Sequence, residues 1–515
     1  MPVAPEHAWS TVAHAMTEIR VLQGVSSVLA WDQETYMPPQ GAAMRAEQLA
    51  AIDGAVHDRL TAPALADALA RLEAGPPADA DRTAAVRELG RDVARAAAVP
   101  GGLVRALSRA GVEGHEAWKA ARDEQRFARF APALSRLLEL RREQAAALQP
   151  LLEREAARER SSGPAAPAEA YDALLDLHEP GLRVAGLEPL LAHLQTWLVP
   201  LLDRIASRPP PDDAFLRGRF DAEAQWRFTL ELLDLMGFDA QAGRQDRSIH
   251  PFTTSVDPGD VRVTTRIDEA VPLSAIFSTL HEGGHGLYEQ QLPGDLRRSV
   301  LCAAPSAGIH ESQSRLWENL VGRSLPFWRA VLPRLARHFP QLASVTPERF
   351  FRAVNRVERS LIRVEADEVS YNLHIVLRFE LELALLRGTL GVADLPAAWN
   401  ERSARLLGVT PPDDAQGVLQ DIHWAWGSFG YFPTYTVGNL YAASLWAGAR
   451  RELAGLDEAI EHGELRPLRD WLGRRVHAVG RRRSAEQIVR DVTGSGLTDA
   501  DFRSYLETKY LRDLA

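Results

Sequence analysis

Cysteine is nearly absent from this chain: Cys302 stands alone among 515 residues, so no intrachain disulfide can form, and a small residue packed in the interior is its expected role. Lysine is almost as scarce, at Lys119 and Lys509 only, and arginine supplies the positive charge. Positive charge as a whole is in deficit. The 59 Lys and Arg against 69 Asp and Glu give a net charge of −10, which argues against nucleic acid as a partner. The one basic cluster, Arg474, Arg475, Arg481, Arg482 and Arg483, reads as a solvated helix face. No window of 18 uninterrupted apolar residues occurs, so no membrane partner is expected. The amino end, Met1 to His7, has no basic stretch followed by an apolar one, and a cytoplasmic protein is the expectation.

What is present is helix. Apolar residues make up 46% and charged residues 25% of the chain, enough for a sizeable core. Val12, Met16, Ile19, Leu22, Val25 and Leu29 recur at three- and four-residue steps and predict a helix over 8–30. Further helices are expected over 42–74, interrupted near Asp53-Gly54, then 81–98, 102–125, 129–158, 187–205, 325–338, 347–387, 394–406, 436–462 and 468–490, with two closing helices in 484–515. The stretches 160–167 and 208–213 are linker-like but short, so residues 1–515 are read as a single helical domain. The pattern changes once. Residues 248–255 and 261–267 carry β-branched side chains in partial alternation around Asp257-Pro258-Gly259-Asp260, which predicts a hairpin. A strand edge there can hold an extended peptide or merely cover the core.

Directly after it comes His281-Glu282-Gly283-Gly284-His285, on a run that starts with Pro272 and stays mostly apolar through Leu280. Two histidines four residues apart lie one turn apart on one helix face, so both imidazoles reach a single ion, while Glu282, rotated about 100°, stands beside it as a proton acceptor. Two adjacent glycines give up roughly 1 kcal/mol each of helix propensity, which implies that something passes close to that backbone. Catalytic zinc takes three protein ligands and keeps one position open. Glu311, 26 residues after His285 on a second expected helix, completes a His2Glu set. His310 is the competing ligand, and Glu318 is either a partner behind the ligands or a salt-bridged carboxylate.

These motifs do not stand alone. Trp31-Asp32-Gln33-Glu34-Thr35-Tyr36-Met37-Pro38, His250-Pro251-Phe252, Asp260-Val261-Arg262-Val263-Thr264, the 281–285 motif, His310-Glu311-Ser312-Gln313, Ile362-Arg363-Val364-Glu365-Ala366-Asp367 and Gly417 to Trp424 occur in this order. In them the chain resembles the thermostable carboxypeptidase family typified by the Thermus and Pyrococcus metallocarboxypeptidases, from about residue 31 to at least 440. The resemblance implies a mainly α fold, a long-helix body around a deep groove with a small β-hairpin or sheet beside the 281–285 helix. It implies one zinc ion per chain on His281, His285 and Glu311, with cobalt or manganese as possible substitutes. Short peptides would be the substrates, losing single C-terminal residues with broad tolerance, and the assembly would be a homodimer.

For the chemistry, Glu282 takes the proton of an activated water and passes it to the leaving amine. An oxyanion donor is sought among His423, Tyr431 and Tyr435, each of which reads equally as a packed aromatic. A carboxypeptidase must also hold the terminal carboxylate, best through a guanidinium fork. Arg363 is the first choice against an intrahelical pair with Asp367; His250, Arg262 and Arg266 are further candidates. Two other readings stay open: a helical zinc endo-oligopeptidase, which would not need Arg363 in that role, and a non-catalytic zinc or peptide-binding scaffold, which would have no use for Glu282.

Overall fold

The computed structural model describes residues 5–158 and 168–514, so the expected linker at 160–167 lies outside the described residues. The chain groups into two compact units, each threaded by three stretches of sequence. One takes the residues up to Ala96 with Pro211–Asn355 and Gly438–Leu497; the other takes Ala97–Pro210, Arg356–Val437 and the residues from Thr498 on.

In the first unit the opening helix runs over Pro5–Thr35, through the expected stop at Trp31-Asp32. Its buried face, Ala8, Val12, Met16 and Ile19, packs on Leu65, Leu69, Leu72, Leu89 and Leu301. The helix expected over 42–74 is two, Ala42–Leu60 and Pro63–Ala74, and the break is not at Gly54. Proline decides the place: Ala62 is forced to extended backbone (φ −62°, ψ 128°), and Pro63 begins the next helix where its missing N–H costs nothing. The arginines of the basic cluster are less solvated than expected. Arg481 pairs with Asp92 at 2.8 Å and Arg482 with Asp81 at 2.7 Å.

The sheet has three strands rather than a lone hairpin: β1 (Gly243–Arg247), β2 (Thr253–Asp257) and β3 (Asp260–Thr265), in the order β1-β3-β2. β2 and β3 are antiparallel about the turn in which Asp257 Oδ1 accepts from Gly259 N. β1 runs parallel to β3, pairing Gly243 with Val261 through Arg247 with Thr265. It lacks β-branched residues, so nothing local announces it. Val261 and Val263 point inward, and the sheet lies on the helix Pro272–Gln290, where Gly286 leaves room for Phe238 and Val263.

In the second unit the helices Gly101–Asp123, Ala131–Arg158, Val184–Ala206, Tyr371–Arg387, Leu395–Leu407 and Ala500–Thr508 recur. Tyr371–Arg387 is buried nearly all round, as a central helix must be. The helix expected over 347–387 stops at Val354 and restarts at Tyr371. Just before the restart the Asp367 carboxylate accepts from the amides of Val369 and Ser370 and from the Ser370 hydroxyl, which ties that backbone into a turn instead of helix. Arg363 therefore sits on a short 3₁₀ turn, Arg363–Glu365, and is not paired with Asp367 along a helix. Among the described residues no helix is long and apolar enough to cross a membrane.

Candidate metal centre and active site

The helix Pro272–Gln290 begins with Pro272 in its first turn and buries Ala275, Ile276, Leu280 and Leu287. That burial leaves His281 and His285 on one face, their ring centroids 5.0 Å apart. Glu311 comes from the helix Ala307–Arg315, which starts where Ser306 Oγ accepts from Ile309 N. The two helices meet backbone to backbone. A Cβ on Gly284 would lie 2.6 Å from the Gln313 carbonyl oxygen, so the glycine is what lets Glu311 approach. Gly438 does the same from another side, where a Cβ would lie 2.7 Å from Glu311 Cγ.

Three donor atoms converge as a result. Glu311 Oε2 is 3.4 Å from His285 Nε2 and 3.9 Å from His281 Nε2, and one ligand atom from each of the three residues lies within 4.8 Å of the others. A tetrahedral ion with bonds of about 2.0–2.2 Å keeps its ligand atoms ~3.3–3.6 Å apart, so the set fits a divalent metal. The chemistry behind the ligands fits as well. Glu318 Oε2 sits 2.9 Å from His281 Nδ1, which directs the Nε2 lone pair toward Glu311 and His285. Arg315 Nε donates to Glu311 Oε1 at 2.7 Å, and Arg315 also reaches Glu318, at 3.3 Å. His285 Nδ1 is buried with no partner among the described residues. His310 stacks on His285 with centroids 4.4 Å apart, and its Nε2 is engaged by Glu289 at 2.9 Å, so the competing ligand is otherwise occupied.

Burial and charge oppose each other here. Burial disfavours ionised Glu311, but Arg315, His281 and His285 outweigh it and hold the carboxylate ionised far below its usual range. Glu318 is likewise brought down to about 2, because Arg315 and His281 outweigh its burial. Burial works against charge on His281, yet Glu311, Glu318 and Glu282 raise it to about 9. His285 is pushed down to about 3 by burial and then by His310. Glu282 is 6% exposed, and burial raises its proton affinity against the pull of His281. Its Oε2 accepts from Thr253 Oγ1 at 2.7 Å, so β2 fixes this carboxylate.

The aromatic candidates come together in the second unit. His423 Nε2 is 3.1 Å from the Tyr435 hydroxyl, and its ring lies 4.4 Å from Phe432 and 5.7 Å from Tyr431. Burial pushes His423 down to about 4 despite Asp421, leaving a neutral imidazole at pH 7. Arg363 donates through Nε and Nη2 to Asp421 Oδ1, at 2.9 and 2.7 Å, and through Nη1 to Tyr371 at 3.0 Å. Arg378 takes the other Asp421 oxygen at 2.6 Å. Below this group Glu382 accepts from Trp424 Nε1, Gly430 N and the Tyr171 hydroxyl, at 2.8, 3.0 and 2.8 Å.

His250 and Arg262 are drawn into neither cluster by any contact among the described residues. The His250 side chain is exposed, and Arg262 pairs with Asp260 while stacking 4.2 Å from the Trp31 ring. Sequence reasoning passed over Arg315, Thr253, Asp421 and Arg378. Only Arg315 carried a local signal, four residues after Glu311.

Known proteins match this chain over nearly its whole length. The family described as "Carboxypeptidase Taq (M32) metallopeptidase" matches residues 11–510. "Thermostable carboxypeptidase 1" of Thermus thermophilus is 45% identical over 99% of both chains. Its namesake in Pyrococcus furiosus is 34% identical over 94% of this chain and 95% of that one. Among solved structures, the M32 carboxypeptidase from Deinococcus radiodurans superposes with a TM-score of 0.93 at 35% identity, covering 99% of each chain.

Proposed function

Because the chain belongs to the carboxypeptidase Taq (M32) metallopeptidase family and is a metallocarboxypeptidase, we propose that it removes single C-terminal residues from short peptides with broad side-chain tolerance, using zinc held by His281, His285 and Glu311. The observation that carries the assignment is the convergence of those three donor atoms, with Glu318 behind His281 and Glu282 alongside. When bound, the metal supplies Lewis acidity, which acidifies water and polarises a carbonyl. Glu282 does the proton work. Burial raises its proton affinity toward the working pH, Thr253 pins one oxygen, and the carboxylate takes a proton from the attacking water and returns it to the departing amine. His423 and Tyr435 are assigned to the reacting oxygen as a pair: the neutral imidazole donates from Nε2 to the Tyr435 oxygen, which orients the Tyr435 hydroxyl as the donor to the reacting oxygen. Arg363 is assigned to the terminal carboxylate: its plane is fixed by Asp421 and Tyr371. A cytoplasmic homodimer completes the proposal, and light scattering of the purified protein checks the dimer.

The test of the assignment is metal content and turnover together. Metal-depleted protein regains peptide hydrolysis on addition of one equivalent of zinc. Glu282→Gln retains the metal and loses about 10²–10⁴-fold in kcat, whereas Glu311→Gln loses the metal itself. Full activity in Glu282→Gln overturns the assignment.

A further inference from the structure

A cavity of about 590 Å³ opens in the first unit between the helices Pro5–Thr35 and Ala42–Leu60 and the strand β2. Thr253, Thr254 and Ser255 form one wall; Ser26, Ser27, Asp53 and His57 are on the others. The cavity is tied to the catalytic base, because Thr253, one of its wall residues, is the donor to Glu282 Oε2.

β2 is an outer strand, and its register fixes which backbone groups face the opening. Phe252 O accepts from Thr264 N, and Thr253 and Thr254 lie opposite Val263 and Arg262. In an antiparallel ladder the bonded pairs alternate, so Phe252 and Thr254 turn their peptide groups to β3, while Thr253 and Ser255 turn theirs outward. The Thr253 side chain bonds Glu282, and Ser255, on the same face of the strand, lies toward Glu289 two turns along the same helix, so the strand is held there with those outward groups presented. An extended peptide can add to such an edge.

Resting on the carboxypeptidase reading above, we infer that this cavity takes the part of the peptide upstream of the scissile bond and selects a lysine or arginine there through Asp53. An enzyme that removes one residue has a single residue on the leaving side, so a site three strand residues long, ~10 Å, can be filled only from the upstream side. Beside the hydroxyls the walls carry the Gln23 amide, the His57 imidazole and the apolar Ala30, Val56 and Leu60; among the described residues Asp53 is the one carboxylate that lines the cavity, and no lysine or arginine does. Asp53 sits on an exposed helix face, and no ion pair holds it among the described residues. A basic side chain passing along the strand edge meets the one carboxylate that lines its path.

The test uses N-blocked pentapeptides ending in the same two residues, with lysine, glutamate or alanine placed in turn at each upstream position, and reads kcat/KM for C-terminal release. The expected result is a Lys-over-Glu preference of about threefold at one position, the size of a partly exposed ion pair. Asp53→Asn brings that ratio to unity, Asp53→Lys inverts it, and the alanine peptide is cleaved as before by both. A wild-type ratio of one at every position, a preference that survives both substitutions, or an equal loss on all peptides in both variants overturns the inference. Failure of the carboxypeptidase reading itself looks different: the wild-type protein releases no C-terminal residue from any peptide, alanine included.

Discussion

Gly284→Ala separates the metal centre from the fold that carries it. An added Cβ lies 2.6 Å from the Gln313 carbonyl oxygen, 2.8 Å from Ser314 Cα and 2.9 Å from the Gln313 carbonyl carbon. Ordinary contact begins near 3.5 Å, so the two helices must part by about 0.9 Å, and both sides are backbone that cannot turn aside. Glu311 rides on the displaced helix two residues before Gln313, and metal–ligand bonds tolerate shifts of only about 0.2 Å. Overpacking costs about 1–3 kcal/mol and the gain in helix propensity returns about 1 kcal/mol, so the variant folds with stability near that of the parent. Its metal affinity, measured by competition with a chromogenic chelator, falls by about 10–100-fold or more, and turnover at limiting metal falls with it. Gly283→Ala is the control. Its Cβ meets Met236 Cε at 2.8 Å, Met236 Sδ at 2.9 Å and Leu233 Cδ2 at 3.0 Å, all ends of side chains and none on the helix that carries Glu311, so metal affinity stays within about twofold of the parent. A Gly284→Ala protein that binds metal as tightly as the parent refutes the argument that this glycine sets the ligand spacing.

Glu318→Ala removes the acceptor for His281 Nδ1 and strips a partner from Arg315, so metal affinity drops about 10–100-fold with the three ligands intact; unchanged affinity in the same chelator assay contradicts this. Arg363→Lys keeps the charge and loses the fork, and it raises KM for free-acid peptides more than it lowers kcat; equal effects on both constants count against the carboxylate role. Glu382 gives a pH signature. Burial lifts its carboxyl from 4.5 to about 7, so the folded state binds the proton more tightly than the unfolded state. Its contribution to stability is complete below about pH 4.5, falls as pH rises, and is lost above about pH 7. Denaturant unfolding of wild type and Glu382→Gln therefore shows a stability difference that shifts by roughly 2–3 kcal/mol against the wild type between pH 5 and 8, and a constant difference contradicts the cause given.

Legibility in the sequence followed the range of the interaction. His281 and His285 are four residues apart on an apolar helix, and the pair at positions 283 and 284 announced a close approach that Gln313 and Met236 supply. Arg363 was read on the wrong element: the apolar pattern of 347–387 continues through the break, while Asp367, whose capping bonds end at Val369 and Ser370, reads as one more charged helix residue. Its partner Asp421 is 58 residues away, beyond any periodic signal. β1 was invisible because Gly243-Arg244-Gln245-Asp246-Arg247 is polar and pairs in parallel with a strand it does not adjoin in sequence. The division into two units was only partly legible: the crossing at Pro210-Pro211 falls in the proline-rich stretch 208–213, whereas those at Asn355-Arg356 and Val437-Gly438 fall inside runs that read as continuous helix.

Mass spectrometry of one N-acetylated peptide, offered to the zinc-loaded protein as free acid and as C-terminal amide, separates removal of C-terminal residues from internal cleavage. The expected result is a ladder shortened one residue at a time from the free acid, with the amide left intact and the ladder absent in Glu282→Gln. Internal cuts in both peptides, or equal trimming of the amide, contradict it.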